Sequence, residues 1–235
     1  MRRFENGFRS MDIYKLSDNV SVKKTGEDFG AELVISNLKQ AVKNPERVNV
    51  FVNEKYEFSL TVAQVVEFKI KVGQVISAEE LAEYKKQSEY GKLYQRTLEW
   101  VLVRQRSEKE TSDYLFKKIF EKKLDKNYIN QIIEKLKNKK YLDDSEFARW
   151  YVENRFVKKG VSRKRLQMEL MKKGVSREII EKVLKESGRD EEEEILKIIA
   201  KKRAKYDDDK LIQYLARQGF SYELARDLVL ESGKD

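Results

Sequence analysis

Apolar and polar residues alternate in the first quarter of the chain and follow a helical spacing afterwards. From about Asp12 to Ser59 the spacing is typical of β-strands, with a predicted hairpin turn at residues 53–55. A short helix is expected over residues 61–70, and Pro45 is expected in the loop that precedes the hairpin. These patterns predict a small α+β N-terminal domain with a β-hairpin and three to four strands in residues 1–75.

The helical pattern begins at a capping box. Ser77 and Glu80 stand at the spacing at which each side chain caps the backbone of the other, so we expect a helix from there to about Tyr90. Beyond Tyr90 the apolar residues keep the spacing of one helix face to the end of the chain. Glycines typical of helix ends interrupt this pattern at Gly160, Gly174, Gly188 and Gly219.

The helical region contains an internal repeat. Five positions recur 45 residues apart: Leu166, Leu170, Gly174, Ser176 and Ile179 correspond to Leu211, Leu215, Gly219, Ser221 and Leu224. A weaker copy begins at residue 106 and holds about seven extra residues within 116–126. Each copy follows one further helix, expected at residues 94–103, 145–156 and 192–205. An ordinary helical bundle with chance similarity is the alternative, but five matches at one offset favour a repeat.

The predicted fold is therefore mainly α, with three tandem three-helix repeats in an elongated array behind the α+β domain. We divide the helical region into a linker helix with the first repeat (residues 76–140), a second repeat (141–188) and a third repeat (189–235). Each repeat would bury its apolar stripe against its neighbour and leave a long face exposed to an extended partner.

The composition excludes most routes to catalysis. The 235 residues include neither cysteine nor histidine, which excludes disulfides, thiolate or imidazole metal sites, and Ser-His or Cys-His nucleophiles. No apolar run is long enough to span a membrane, and Met1–Ser10 lacks the apolar core of a signal peptide, with Met11 as an alternative start. No glycine-rich phosphate loop is present. We therefore predict a cytoplasmic protein that is not an enzyme and uses no cofactor or metal.

Positive charge is concentrated in the helical region. Residues 1–90 carry 14 basic and 14 acidic side chains, whereas residues 91–235 carry 36 and 27, which accounts for the whole net charge of +9. Such an excess favours a polyanionic partner for the helical region, and a generally lysine-rich, solvated surface is the alternative.

The densest basic segment is residues 155–173, which contain a single acid. Arg163, Lys164 and Arg165 are expected in the first turn of a helix behind Ser162, where cations oppose the helix dipole without structural gain. Phosphate binding explains them better than a solvated face does. Together with sparser groups in the other repeats, the predicted nucleic-acid or filament-binding residues are Arg104, Arg106, Arg155, Lys158, Lys159, Arg163, Lys164, Arg165, Lys172, Lys173, Arg203 and Lys205.

The aromatic and acidic residues are assigned structural roles. The aromatic residues on apolar stripes, which we expect in the core, are Trp100, Tyr114, Phe147, Trp150 and Tyr151. Because Phe156 is the only aromatic residue in the basic segment, contact through the DNA backbone or through protein is favoured over base stacking. Acidic runs at residues 143–144, 190–194 and 207–209 stand at helix starts, where the dipole favours them. The last run should cancel much of the field of the basic group Lys201, Lys202, Arg203 and Lys205.

A set of residues at fixed spacing forms a signature in the second repeat. It consists of Tyr141-Leu142-Asp143-Asp144-Ser145-Glu146-Phe147-Ala148 followed by Arg155, Lys159-Gly160, Leu166, Glu169-Leu170 and Lys173-Gly174-Val175. This signature resembles that of the RecX regulatory proteins, and residues 104–110 are similar to the first-repeat motif of that family. The resemblance covers about residues 90–230, and the front section resembles the extended form of some branches. Two departures, Thr111 at an expected apolar position and residues 116–126 in place of a Lys-Gly turn, leave the geometry of the first repeat open.

The resemblance implies a protein that lodges in the groove of the RecA–single-stranded DNA filament. It implies that the protein modulates, by inhibition, the recombinase, ATPase and coprotease activities of RecA. The implied processes are DNA repair, homologous recombination and the SOS response. The implied partners are the RecA filament and single-stranded DNA, with double-stranded DNA as a further ligand, and we expect a monomer without membrane contact.

Two other functions stay open on the sequence alone. A general DNA-binding protein would use the basic segment without a recombinase, whereas a protein-binding helical-repeat adaptor would not use it at all. Removing the charges of Arg163, Lys164 and Arg165 should abolish DNA binding in the first case and leave the second unaffected.

Overall fold

The N-terminal part of the chain forms a four-stranded antiparallel sheet. The computed structural model describes residues 32–233, so the expectations for Met1–Ser10, for Met11 and for strands that begin near Asp12 lie outside the described residues. The strands are β1 (Leu33–Ala41), β2 (Asn44–Val52), β3 (Lys55–Thr61) and β4 (Val75–Ile76), in the order β3-β2-β1-β4. The predicted α+β unit is confirmed, with its sheet extending one residue beyond position 75.

The hairpin between β2 and β3 lies where the sequence predicts it. Asn53 and Glu54 both adopt positive φ angles, 47° and 67°, the conformation that a two-residue hairpin turn requires. The expected loop position of Pro45 is wrong, because Pro45 is the second residue of β2. The register pairs it with neither β1 nor β3, since an irregularity follows Gln40, so its missing N–H costs no ladder hydrogen bond.

One long helix links the sheet to the helical region. A short helix, α1 (Val62–Glu67), confirms the prediction for residues 61–70, and α2 then runs without a break over Ala78–Leu102. Two separate helices were expected here, and that expectation is wrong. The two halves of α2 pack in different places: Tyr84 lies against the rings of Phe58 in β3 and Phe68 at the end of α1, whereas Leu93 belongs to the next buried cluster. Burial on both sides of Gly91 outweighs the cost of about 1 kcal/mol of a glycine inside a helix.

Between residues 78 and 231, nine helical segments make three triplets in series, as the repeat predicts. The helices after α2 are α3 (Glu108–Lys122), α4 (Tyr128–Asn138), α5 (Asp144–Asn154), α6 (Arg163–Lys172), α7 (Arg177–Glu186), α8 (Glu191–Lys202), α9 (Asp208–Arg217) and α10 (Tyr222–Glu231). We call the C-terminal half of α2 with α3 and α4 the first triplet, α5–α7 the second and α8–α10 the third. The mainly α fold is confirmed, and the division into separate domains stays a prediction.

Each triplet has its own buried cluster, and the repeat positions form the centre of it. Leu166 and Leu170 in the second triplet, and Leu211 and Leu215 in the third, are all at most 2% exposed. The equivalent position in the first triplet is Thr111, which is fully buried and donates its hydroxyl proton to its own helix. A buried hydroxyl that is satisfied within the helix leaves the packing unchanged.

The turn after α3 has the same backbone conformation as the turns after α6 and α9, although it lacks a glycine. Lys123 takes the left-handed conformation, with φ of 54°, that Gly174 and Gly219 take after α6 and α9. The first triplet therefore has the same architecture as the other two, despite both departures from the family pattern. None of the helices between residues 32 and 233 is long and apolar enough to cross a membrane.

Candidate nucleic-acid interface

Two buried serines join the triplets at equivalent positions. Ser107 and Ser162 are the N-cap residues of α3 and α6, and both are fully buried. Ser107 Oγ donates to the carbonyl oxygen of Lys173 at 2.7 Å, and Ser162 Oγ donates to that of Gln218 at 2.6 Å. Each serine thus caps its own helix and binds the end of the second helix of the next triplet. We call these contacts the first joint and the second joint.

Acidic residues add a second bond to each joint. Asp144 Oδ1 accepts a hydrogen bond from the backbone nitrogen of Glu108 at 2.8 Å, and Glu191 Oε1 accepts one from that of Arg163 at 3.3 Å. Both donors are backbone N–H groups in the first turn of a helix, which have no partner within that helix. The sequence explained these acids by the dipole of their own helices, and their role between triplets was missed.

Glycines allow the close approach at both joints. A Cβ atom on Gly174 would lie 2.6 Å from Cβ of Lys109, and one on Gly219 would lie 2.9 Å from Oγ of Ser162. Both glycines also have positive φ angles, 84° and 96°. The repeated glycines therefore end their helices and also admit the preceding triplet.

A cleft of about 710 Å³ opens beside the first joint. We call it the first cleft, and it is lined by Arg104, Trp150, Tyr151, Asn154, Arg155, Glu169, Lys172 and Lys173. The guanidinium of Arg104 lies 5.5 Å from the ring centroid of Trp150 and donates to both oxygens of Glu110, at 3.2 and 3.3 Å. The same carboxylate lies 2.5 Å from Nζ of Lys173. Residues of two triplets therefore build this cleft together.

A carboxylate at the floor of the first cleft holds two arginines. Glu169 accepts hydrogen bonds from Arg155 at 2.7 and 3.0 Å, from Arg165 at 3.2 Å and from the hydroxyl of Tyr151 at 2.6 Å. Burial alone would raise the pKa of Glu169, but these hydrogen bonds outweigh it and lower the pKa to about 2. Burial and the bond to Glu169 raise the pKa of Tyr151 to about 12. The network thus keeps Glu169 ionised and Tyr151 neutral at physiological pH.

A second cleft, of about 440 Å³, opens beside the second joint. It is lined by Phe156, Lys159, Gly160, Arg165, Ile198, Lys201, Lys202, Tyr214 and Gln218. Cations lie over its aromatic rings: the guanidinium of Arg165 is 5.3 Å from the centroid of Phe156, and Nζ of Lys202 is 5.4 Å from that of Tyr214. Among the described residues that line this second cleft, none carries a carboxylate.

The two clefts are equivalent features of the repeat. Lys159, Arg165, Tyr214 and Gln218 of the second cleft correspond, at offsets of 55, 55, 45 and 45 residues, to Arg104, Glu110, Glu169 and Lys173. An arginine and a tyrosine of the second cleft therefore stand where the first has Glu110, beside the cleft, and Glu169, in its lining. The four cations of the first cleft thus face two carboxylates, whereas the lining of the second is purely cationic, which makes the second the stronger candidate for an anion.

The twelve predicted binding residues fall into three groups. Six line the clefts: Arg104, Arg155, Lys172 and Lys173 in the first, Lys159 and Arg165 in the second. Lys158, Arg163, Lys164 and Lys205 are exposed outside the clefts. The other two, Arg106 and Arg203, make internal contacts: the guanidinium of Arg106 lies 3.9 Å from the centroid of Trp100, and Arg203 donates to the carbonyl oxygen of Val229 at 2.9 Å.

The predictions for the aromatic residues are corrected in part. Phe147 is fully buried, as expected for a core residue, whereas Trp100 and Tyr114 are partly buried and stack on each other against the buried cluster of the first triplet, with centroids 4.4 Å apart. Trp150 and Tyr151 are only partly buried and line the first cleft. A helical stripe identifies the inward face of a helix, but it does not show where that face emerges into a cleft.

Lys201 and Lys202 are the cleft residues that sequence reasoning set aside. The acids that follow them were expected to cancel their charge. Those acids are engaged elsewhere, since Asp207 pairs with Lys210 at 2.7 Å and Asp208 with Arg203 at 3.1 Å. The run of basic residues at 201–205 was the feature of the sequence from which these two lysines could have been predicted.

Comparisons with known proteins agree on one family. Residues 143–184 match the family model described as RecX, second three-helix domain, and residues 34–77 match that of the regulatory protein RecX N-terminal domain. A regulatory protein RecX of Listeria monocytogenes is 30% identical over 206 residues, which cover 84% of this chain and 75% of the relative. The chain belongs to the RecX family of regulatory proteins. A second RecX, from Bacillus licheniformis, is 31% identical over 198 residues, covering 81% of this chain and 74% of the relative.

The RecX fold is found in a solved structure as well. A crystal structure of a regulatory protein RecX superposes on this chain with a TM-score of 0.62 at 22% sequence identity. The superposition covers 83% of this chain and 99% of that one. Sheet and triplets thus belong to the RecX fold, and the resemblance seen in the second repeat is confirmed.

Proposed function

We propose that this RecX protein binds the RecA–single-stranded DNA filament and inhibits its ATPase, strand-exchange and coprotease activities. The observation that carries the proposal is the pair of equivalent clefts, set in series and lined by cations over aromatic rings. A series of cationic sites fits a partner that is itself repetitive and anionic, as a nucleoprotein filament is. Membership of the RecX family supports RecA as that partner.

The cations of the second cleft are the phosphate ligands in this proposal. Lys159, Lys201 and Lys202 make no ion pair with a carboxylate within residues 32–233, so a phosphate would meet no competing acid. In the first cleft Arg104 is paired with Glu110 and Arg155 with Glu169. These carboxylates hold the two guanidinium groups in place and neutralise their charge. The second cleft therefore contributes affinity, and the first contributes the shape of the surface. Contacts spread over several triplets can bridge neighbouring filament subunits and shift which filament state is populated.

The test is a titration of this protein into a RecA ATPase assay on single-stranded DNA at fixed, moderate salt. We expect strong inhibition at substoichiometric protein. The variant K159A/K201A/K202A should lose most of it, and its DNA affinity should depend less steeply on salt, by about 2 in the logarithmic slope for three lost phosphate contacts.

Arg177, Lys182 and Lys185 provide the matched control. They lie on α7, they do not line either cleft, and R177A/K182A/K185A removes the same charge. An unchanged ATPase rate with DNA bound by this protein alone would point to a general DNA-binding protein. Inhibition that survives in K159A/K201A/K202A would point to a protein-binding adaptor.

A further inference from the structure

Two phenylalanines are exposed on the long helix of the first triplet. Helix α3 has 15 residues, whereas its equivalents α6 and α9 have 10 each. Phe116 and Phe120 are one helical turn apart on one face of it and are 54% and 78% exposed. Phe120 lies in the part of α3 that the equivalent helices lack.

Phe116 and Phe120 are not needed to fill the core of the first triplet. Leu115 and Ile119, their neighbours in sequence, are 0% and 3% exposed and already supply the buried face of this part of α3. A large ring left in water forgoes the favourable transfer that burial of a phenylalanine provides. Two such rings on adjacent turns therefore point to a partner surface rather than to packing within the chain.

The charge around the two rings is strongly positive. Residues 116–126 contain five lysines and two acids. Lys118 pairs with Glu121 at 3.0 Å, whereas Lys117, Lys122 and Lys123 make no ion pair within residues 32–233. From the neighbouring helix α2, Lys92 and Arg96 add to this field: the pKa of Lys122 is lowered, first by burial and then by these cations. A partner that covers this face must carry negative charge together with flat apolar groups.

We propose that Phe116 and Phe120 stack on bases of single-stranded DNA while Lys117 and Lys123 contact its phosphates. Exposed aromatic rings interleaved with lysines are the arrangement that proteins use to hold single strands without reading sequence. Rings one helical turn apart, with Cβ atoms about 5–6 Å apart, can each meet one of two neighbouring bases. The inference rests on the proposed function for its ligand class, nucleic acid, but it concerns a different surface from the two clefts.

The second triplet supplies a matched control. Met171 stands 55 residues after Phe116 on the equivalent helix α6, and with Met168 it forms an exposed apolar pair, 53% and 48% exposed. These side chains offer apolar area without a ring. M168A/M171A should therefore leave base stacking unchanged, and F116Y/F120Y, which keeps both rings, should retain it.

The experiment compares two labelled 20-mers by fluorescence anisotropy at one salt concentration: oligo(dT) and an abasic deoxyribose-phosphate strand of the same length. The wild-type protein should bind oligo(dT) more tightly, by on the order of tenfold or more for two stacked bases. F116A/F120A should bind both strands with the affinity that the wild type has for the abasic one, and with an unchanged salt slope. Far-ultraviolet circular dichroism should match the wild type, since both residues are exposed.

Three results would overturn the inference. These are equal wild-type affinity for the two strands, no binding to either, or a preference for bases that persists in F116A/F120A. If that preference persists but F116A/F120A no longer binds the RecA filament, the face is a protein contact instead. Failure of the proposed function is a separate result, because it appears as an unchanged RecA ATPase rate while the preference for bases remains.

Discussion

The first joint can be tested through a single hydroxyl group. In Ser107→Ala two hydrogen bonds disappear, the N-cap bond from the backbone nitrogen of Glu110 at 3.1 Å and the bond to the carbonyl oxygen of Lys173 at 2.7 Å. Loss of a serine N-cap costs about 1 kcal/mol, and loss of an ordinary hydrogen bond costs about 1 kcal/mol more. We therefore expect the free energy of unfolding to fall by about 2 kcal/mol.

The control for this substitution is Ser176→Ala. Ser176 is also an N-cap, for α7, but within the described residues its hydroxyl bonds only to its own helix, at Ile179. This variant should lose about 1 kcal/mol or less, so a larger loss in Ser107→Ala reports the bond between triplets together with the burial of Ser107.

Urea unfolding followed by tryptophan fluorescence measures the difference. Trp100 and Trp150 are the only tryptophans, and they lie in the first and second triplets, on the two sides of this joint. Equal losses in the Ser107 and Ser176 variants would refute the reasoning, because the contact between triplets would then contribute nothing. A loss near 2 kcal/mol in Ser107→Ala and near 1 kcal/mol in Ser176→Ala would support it.

Two further substitutions test single features of the structure. Lys123→Gly removes a side chain from a residue with φ of 54°, so it should raise the free energy of unfolding by roughly 0.5–1 kcal/mol in urea unfolding; a loss of stability would contradict this account of the turn. Glu169→Gln removes a carboxylate whose pKa is about 2 in the folded protein against an ordinary value of 4.5. Because the folded pKa is the lower one, the stabilisation is fully present above about pH 4.5 and is lost as the pH falls towards 2. Unfolding curves between pH 7 and pH 2.5 should show the variant less stable at pH 7 and less sensitive to acid, and parallel curves for the two proteins would rule this out.

The sequence predicted the elements well where local chemistry decides them. The turn at Asn53 and Glu54, the serine caps and the glycines after α6 and α9 are each specified by residues within one turn. The repeat then predicted the three triplets, because it places equivalent leucines in equivalent buried positions. The single helix α2 was missed, since tertiary packing on two sides decides whether a glycine interrupts a helix.

The candidate site was predicted less completely, because charge along a sequence does not show pairing in space. Arg155 and Arg165 share the carboxylate of Glu169, 14 and 4 residues away in the chain, so the densest basic segment is partly neutralised by its one acid. Lys201 and Lys202 were set aside although the acids behind them are occupied by other cations. Phe116 and Phe120 were counted as part of an insertion, and only their exposure in the folded chain shows that the core leaves them free for a partner.

The position of the clefts explains why the repeat matters for function. Each cleft takes residues from the connection between the first and second helices of one triplet and from the first two helices of the next, as with Arg104 and Lys173 in the first cleft. One triplet alone therefore holds only part of a cleft. The serine bonds fix the end of the second helix, which carries Lys173 or Gln218, against the preceding triplet. The geometry of the cations thus depends on the joints, and the joints set the spacing of successive clefts, which is the spacing that the proposed polyanionic partner would have to match.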